Sequence, residues 1–174
     1  MYMKYNIGNH IIGGIHMYHS IDEFLQDWQY EASATQKILD ALSDESLAQE
    51  VAPGHRTLGE LSWHVVTSVH QMLSQAGLQF EGAQGEDVPA SAKEIADSYR
   101  TTSENLVSAI KKQWNEESLK EVKEVFGQQM PVAVTLGMMN THQIHHRGQM
   151  TILMRQAGLK VPGVYGPSKE EWGA

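Results

Sequence analysis

The imidazoles in the run Thr141-His142-Gln143-Ile144-His145-His146-Arg147-Gly148-Gln149 are the side chains of this chain best spaced for chemistry. On an α-helix, residues i and i+4 share a face, with Cβ atoms roughly 5–6 Å apart. His142 and His146 can therefore bring both rings to one metal ion. A third imidazole from another helix would complete a site that keeps positions open for water or substrate, as catalytic zinc sites do and structural ones do not. His64, in Leu61-Ser62-Trp63-His64-Val65-Val66, is the candidate. It follows Leu61 by three residues and precedes Ser68 by four, which turns it toward the same core.

The neighbours limit what such a site does. In a His-Glu-x-x-His helix the Glu is the base that activates water. Position 143 is Gln, which accepts no proton at useful pH. A metal without a carboxylate base is better suited to a thiol, which coordination deprotonates and presents as a nucleophile. Glu60, four residues before His64, is either a hydrogen-bond acceptor behind a ligand or, the better reading, the capping-box partner of Thr57. His145 lies about 100° round the helix from the ligand direction, so it lines the pocket, hydrogen-bonds a neighbour or faces solvent. Arg147 would bind an anionic group of thiol or substrate, or make an interhelical salt bridge. Gly148 suits close helix packing, and Gln149 a hydrogen bond to a ligand imidazole or a neighbouring helix. His70 falls on a different face from His64 and reads as structural or solvated; His55 sits in the loop before that helix.

Four helical segments must position these residues. Ser20-Ile21-Asp22-Glu23, Thr57-Leu58-Gly59-Glu60 and Ser91-Ala92-Lys93-Glu94 each read as a capping box opening a helix. Apolar residues at helical spacing follow each box: Phe24, Leu25 and Trp28; Leu61 and Val65; Ile95, Tyr99 and Leu106. Gly77 is a natural stop for the second helix. Pro131 suits the first turn of the fourth, which runs to about Gln156. Residues 119–126 alternate weakly and predict a short hairpin or an extended loop. The expected fold is an all-α four-helix bundle. All three connections exceed ten residues, so loop length does not dictate which helices are neighbours.

Composition narrows the class. The 174 residues fit one domain with a real core. No apolar run approaches the ~20 residues of a membrane span. With no cysteine, any metal must be held by imidazole, carboxylate and water. The formal charge of −8, from 21 acidic and 13 basic residues, repels a phosphate backbone, which argues against nucleic acid as a partner. A cytoplasmic protein is expected. Residues 1–16 lack a helical period and a signal peptide's apolar core. They read as a leader or an arm, ahead of a single domain over residues 17–174, and His10, His16 and His19 there read as incidental.

His64 on the second helix, followed much later by His142-x-x-x-His146-Arg147-Gly148-Gln149, resembles the DinB/YfiT superfamily over roughly residues 20–160. The lead-in Phe126-Gly127-Gln128-Gln129-Met130-Pro131-Val132 is also similar. The resemblance implies a small bundle with crossover connections and a homodimer. It also implies one divalent metal per chain on His64, His142 and His146, with zinc, nickel, iron or manganese as the expected ion; imidazole itself suits zinc, nickel, copper and iron alike. Some members are thiol-dependent transferases. The resemblance thus favours a metal-dependent S-transferase using a low-molecular-weight thiol and a small electrophile, with hydrolysis next. The alternatives are a non-catalytic metal-binding stress-response protein and a purely structural bundle.

Overall fold

The structure is a computed structural model describing residues 11–12 and 15–172. Its frame is four helices: α1 (Ile21–Asp40), α2 (Leu58–Gln75), α3 (Ala92–Gln113) and α4 (Val132–Gln156). Each of the first three begins where a hydroxyl accepts a free helix N–H. Ser20 Oγ accepts from Glu23 N–H at 3.1 Å, Thr57 Oγ1 from Glu60 N–H at 3.1 Å, and Ser91 Oγ from Glu94 N–H at 3.4 Å. Of these three boxes only the second closes in both directions, with Thr57 N–H donating to Glu60 Oε2 at 2.7 Å. Glu23 reaches one residue further back than a closed box would, to His19 N–H at 2.9 Å.

The end of α2 explains its glycine. Gly77 has φ +96°, Leu78 N–H donates to Leu73 O at 2.9 Å, and Gly77 N–H donates to Ser74 O at 3.0 Å. This is a Schellman stop, and it buries Leu78. The segment before α4 is the hairpin alternative: β3 (Val122–Val125) pairs antiparallel with β4 (Gln128–Pro131). Its two-residue turn holds Phe126 at φ +50° and Gly127 at φ +74°, the paired positive angles that match strand twist in tight hairpins. Pro131 ends β4 and directly precedes α4, so strand passes into helix without a loop.

The bundle is not a simple up-and-down one. Helix α1 packs on α3 and α4, and α2 packs on α3 and α4. Consecutive helices α1 and α2 thus take opposite corners, as do α3 and α4. Trp28 Nε1 donates to Ser103 Oγ at 3.0 Å and Gln36 Nε2 to Ala96 O at 3.1 Å, which makes α1 and α3 antiparallel. Between them lies an aromatic column of Phe24, Trp28 and Tyr99, each at most 1% exposed. Helix α4 is enclosed by α1, α2 and the hairpin, hence its unusually mixed buried set of Leu136, Met139, Asn140, Gln143, Arg147 and Met150.

Most of residues 1–16 fall outside the described residues. Of that segment, β1 (Ile11–Ile12) and β2 (Ile15–His16) form a two-rung antiparallel ladder, with β2 beside α4. None of the described helices is long and apolar enough to cross a membrane.

Candidate metal centre

Helices α2 and α4 meet at the three imidazoles. His64 Nε2 lies 3.0 Å from His142 Nε2, which lies 3.1 Å from His146 Nε2. The rings stand edge to face, with centroids 4.3–4.9 Å apart. Among the described residues this is the one group of three metal-capable side chains whose donor atoms all lie within 4.8 Å of one another. Metal–nitrogen bonds of about 2.0–2.1 Å in a tetrahedral site would hold such nitrogens roughly 3.3–3.4 Å apart. Both separations from His142 are within a few tenths of an ångström of that spacing.

Proton bookkeeping sharpens the fit. His146 Nδ1 faces Gln149 Oε1 at 2.7 Å, and an amide oxygen only accepts. His146 therefore carries its proton on Nδ1 and turns a lone pair from Nε2 into the cluster. His142 Nδ1 is buried without a partner, so the polar contacts of that ring are made through Nε2, inside the cluster. A cation between the Nε2 atoms satisfies the converging lone pairs. All three rings are also held neutral, the state that ligates. Burial, then Arg56 and His146, pull the pKa of His64 down to about 4. Burial, followed by the neighbouring imidazoles and Arg56, takes His142 to about 3. Burial likewise lowers His146, against the opposing pull of its bond to Gln149.

The other expected site residues separate by helix face. Gln149 is both the acceptor for His146 and, through Nε2 at 3.1 Å, the neighbour of His145 Nε2. His145 is exposed, so it meets the solvent and hydrogen-bonding expectations together. Glu60 closes the α2 cap and also lines the cleft beside His64. Arg147 takes the salt-bridge alternative. It is 2% exposed and points away from the cluster to Glu31 Oε2 at 2.6 Å, Thr35 Oγ1 at 3.0 Å, and the hydroxyl of Tyr165. Close packing does not explain Gly148, since a Cβ there would meet nothing within 4 Å. Gln143 is fully buried on the core side. Its Nε2 donates to Val65 O at 2.9 Å, and its Oε1 accepts from Tyr99 Oη at 3.2 Å. It pins α4 to α2 and α3 rather than standing where a base would.

A cleft of about 660 Å³ opens along α2 from His64. One wall is Arg56, Glu60, Thr67, His70 and Gln71. The other is the connection through Gly85 to Val88, held by Trp63 Nε1 donating to Gly85 O at 3.0 Å. His70 lines this wall too, despite its expected different face, because the cleft is wide enough to admit neighbouring rows of α2. Sequence reasoning missed Arg56, Trp63 and Thr67. Thr67 lies three residues from His64 and was findable by helical spacing; Arg56 depends on a loop that no periodicity places.

The fold is that of a DinB-type bundle, and the chain belongs to the DinB family, whose profile matches residues 17–174. It is 50% identical over 157 residues to the uncharacterized protein YrdA of Bacillus subtilis, which covers 90% of this chain and 94% of that one. A DinB-like protein from Bacillus cereus is 53% identical in its crystal structure, with a TM-score of 0.83 over 86% of this chain and 100% of that one. YfiT from Bacillus subtilis shares the fold at 13% identity, with a TM-score of 0.60 over 80% of this chain and 88% of its own. YfiT is described as a probable metal-dependent hydrolase with an unusual four-helix bundle topology.

Proposed function

We propose that this chain is a metal-dependent enzyme that binds one divalent ion per chain on Nε2 of His64, His142 and His146, and transfers a low-molecular-weight thiol to a small electrophile. What supports the metal is the convergence of three Nε2 atoms, with His146 oriented by Gln149. What supports catalysis over storage is that three protein ligands leave positions open, and that one of them, His64, lines a cleft. What favours transfer over hydrolysis is the lack of a placed carboxylate base among the described residues. Gln143 faces the core, and one oxygen of Glu60 is held by the Thr57 N–H.

A divalent ion in this position would deprotonate a thiol and stabilise it as a nucleophile at neutral pH. The protein's residues do the rest. Gln149 fixes the tautomer and plane of His146. Trp63 holds the far wall in place and shields one side of the cleft from water. Thr67 and Gln71 offer hydroxyl and amide groups to a polar substrate. Sulfur then bonds to the electrophilic carbon, the leaving group departs with its electron pair, and the thiol proton passes to solvent. Hydrolysis is the second reading, favoured by what is said of YfiT.

Untagged protein prepared without added metal is expected to carry about one divalent ion per chain, and His142→Ala to lose it while keeping its helical circular dichroism. Metal-dependent coupling of a thiol to an aryl halide, absent in His142→Ala, supports transfer. Turnover of an ester without any thiol supports hydrolysis. A metal-loaded protein inactive in both assays would favour the non-catalytic alternative.

A further inference from the structure

The four arginines divide sharply. Arg100, Arg147 and Arg155 each meet carboxylates at 2.6–3.1 Å. Arg56 forms no ion pair with the described residues, in a chain carrying 21 acidic side chains. It is not a loose tail residue. It directly precedes the α2 N-cap, and its loop is closed by the Glu50–Thr57 bridge and by Leu58 N–H donating to Gln49 O at 2.8 Å. Its side chain lines the cleft with His64, and its charge is felt at all three imidazoles, where it opposes protonation. The other charges on the cleft are Glu60, engaged by the helix cap, and Glu86 on the far wall.

A guanidinium is a planar fork matched to two oxygens of a carboxylate or phosphate. Left unpaired beside a reactive centre, it has a fork to give to a ligand. The geometry points to Arg56 as the oxyanion-recognition residue of this cleft, so that the substrate is a small anion whose carboxylate or phosphate seats on Arg56 while its reacting end faces His64. The reacting end rests on the metal-centre reading; the anion seat does not. The overall charge of −8 repels anions at a distance. Arg56 and the positive end of α2 therefore provide a local attraction that non-specific anion binding would lack.

The test uses wild type, Arg56→Ala and Arg56→Lys, freed of metal by chelator and held at about pH 8, where imidazole is neutral. Each is titrated with inorganic phosphate and, separately, with acetate, following the Trp63 indole N–H in all three and the Arg56 Nε–H in wild type by NMR. Wild type is expected to saturate with at least one of the two anions. Arg56→Ala should bind it at least about tenfold more weakly, with Arg56→Lys between, since lysine keeps the charge and loses the fork. The anion that saturates identifies the source of the oxyanion. Equal affinity in Arg56→Ala, or no saturable binding by wild type, overturns the inference. Metal content measured on parallel untreated samples should match across the three variants. Absence of metal from all of them would overturn the metal centre while leaving the anion result readable.

Discussion

Gln149 shows what one residue contributes to this site. It accepts from His146 Nδ1 and leaves Nε2 for the cluster. Outer-shell partners of this kind are worth about 10–100-fold in metal affinity. Gln149→Leu should therefore weaken binding by that order, as read by competition with a chromophoric chelator; unchanged affinity would mean that packing alone orients His146. The metal-free protein should also be acid-sensitive. Unfolded imidazoles titrate near the reference value of about 6.5, whereas His64 and His142 are depressed to about 4 and 3. Below the unfolded value the unfolded chain takes up more protons than the fold. Stability is then present above pH 6.5 and is lost as pH falls toward 4 and 3. Urea midpoints of chelated protein at pH 7 and pH 5 check this; a higher midpoint at pH 5 would contradict it.

At the scale of the elements, the helices were legible because their ends are written in local chemistry: Thr57 with Glu60, Ser91 with Glu94, and Gly77 at the Schellman stop. The i, i+4 pair of His142 and His146 was legible for the same reason, since both lie on one helix. The partition of α4's faces was harder to read. Arg147 is one residue from His146 yet serves α1, and Gln143 is one residue from His142 yet serves α2 and α3. Neighbours on a helix differ by about 100°, and which direction meets which element depends on tertiary packing. Removing one partner of a buried ion pair typically costs about 3–5 kcal/mol. Arg147→Ala should approach that loss in denaturant unfolding, since Glu31 is 12% exposed at its side chain. The loop that shapes the cleft offers another check. A Cβ at Gly82 would lie 2.9 Å from His70 Cβ. Gly82→Ala should therefore displace the connection and destabilise by about 1–3 kcal/mol, as overpacking does; a neutral result would mean that the loop moves freely.

For the whole molecule, the corner arrangement decides what a bound ion does. Its ligands come from α2 and α4, which are neighbours in space although α3 lies between them in the chain. An ion there ties two helices of the native state and nothing equivalent in the unfolded chain, so it raises stability by mass action. Metal-loaded protein should melt higher than chelated protein, and the difference should vanish in His142→Ala. Equal melting temperatures for loaded and chelated wild type would contradict a site shared between the helices. The helix order itself was illegible, because connections of more than ten residues let any corner follow any other. The family resemblance, rather than periodicity, supplied the crossovers.

The separation of His64 from His142, 78 positions along the chain, bears on how the protein is made. In a zinc finger the ligands are close in sequence, and the ion helps a short segment to fold. Here the two halves of the cluster meet only after three helices and a hairpin have found their places, a long-range closure that comes at an entropic cost. An ion bound there would not be the seed of folding; it would be acquired by a scaffold that already exists. Newly synthesised chains would pass through a folded, empty form, and the metal they keep would be set by which ions the cell offers at that moment.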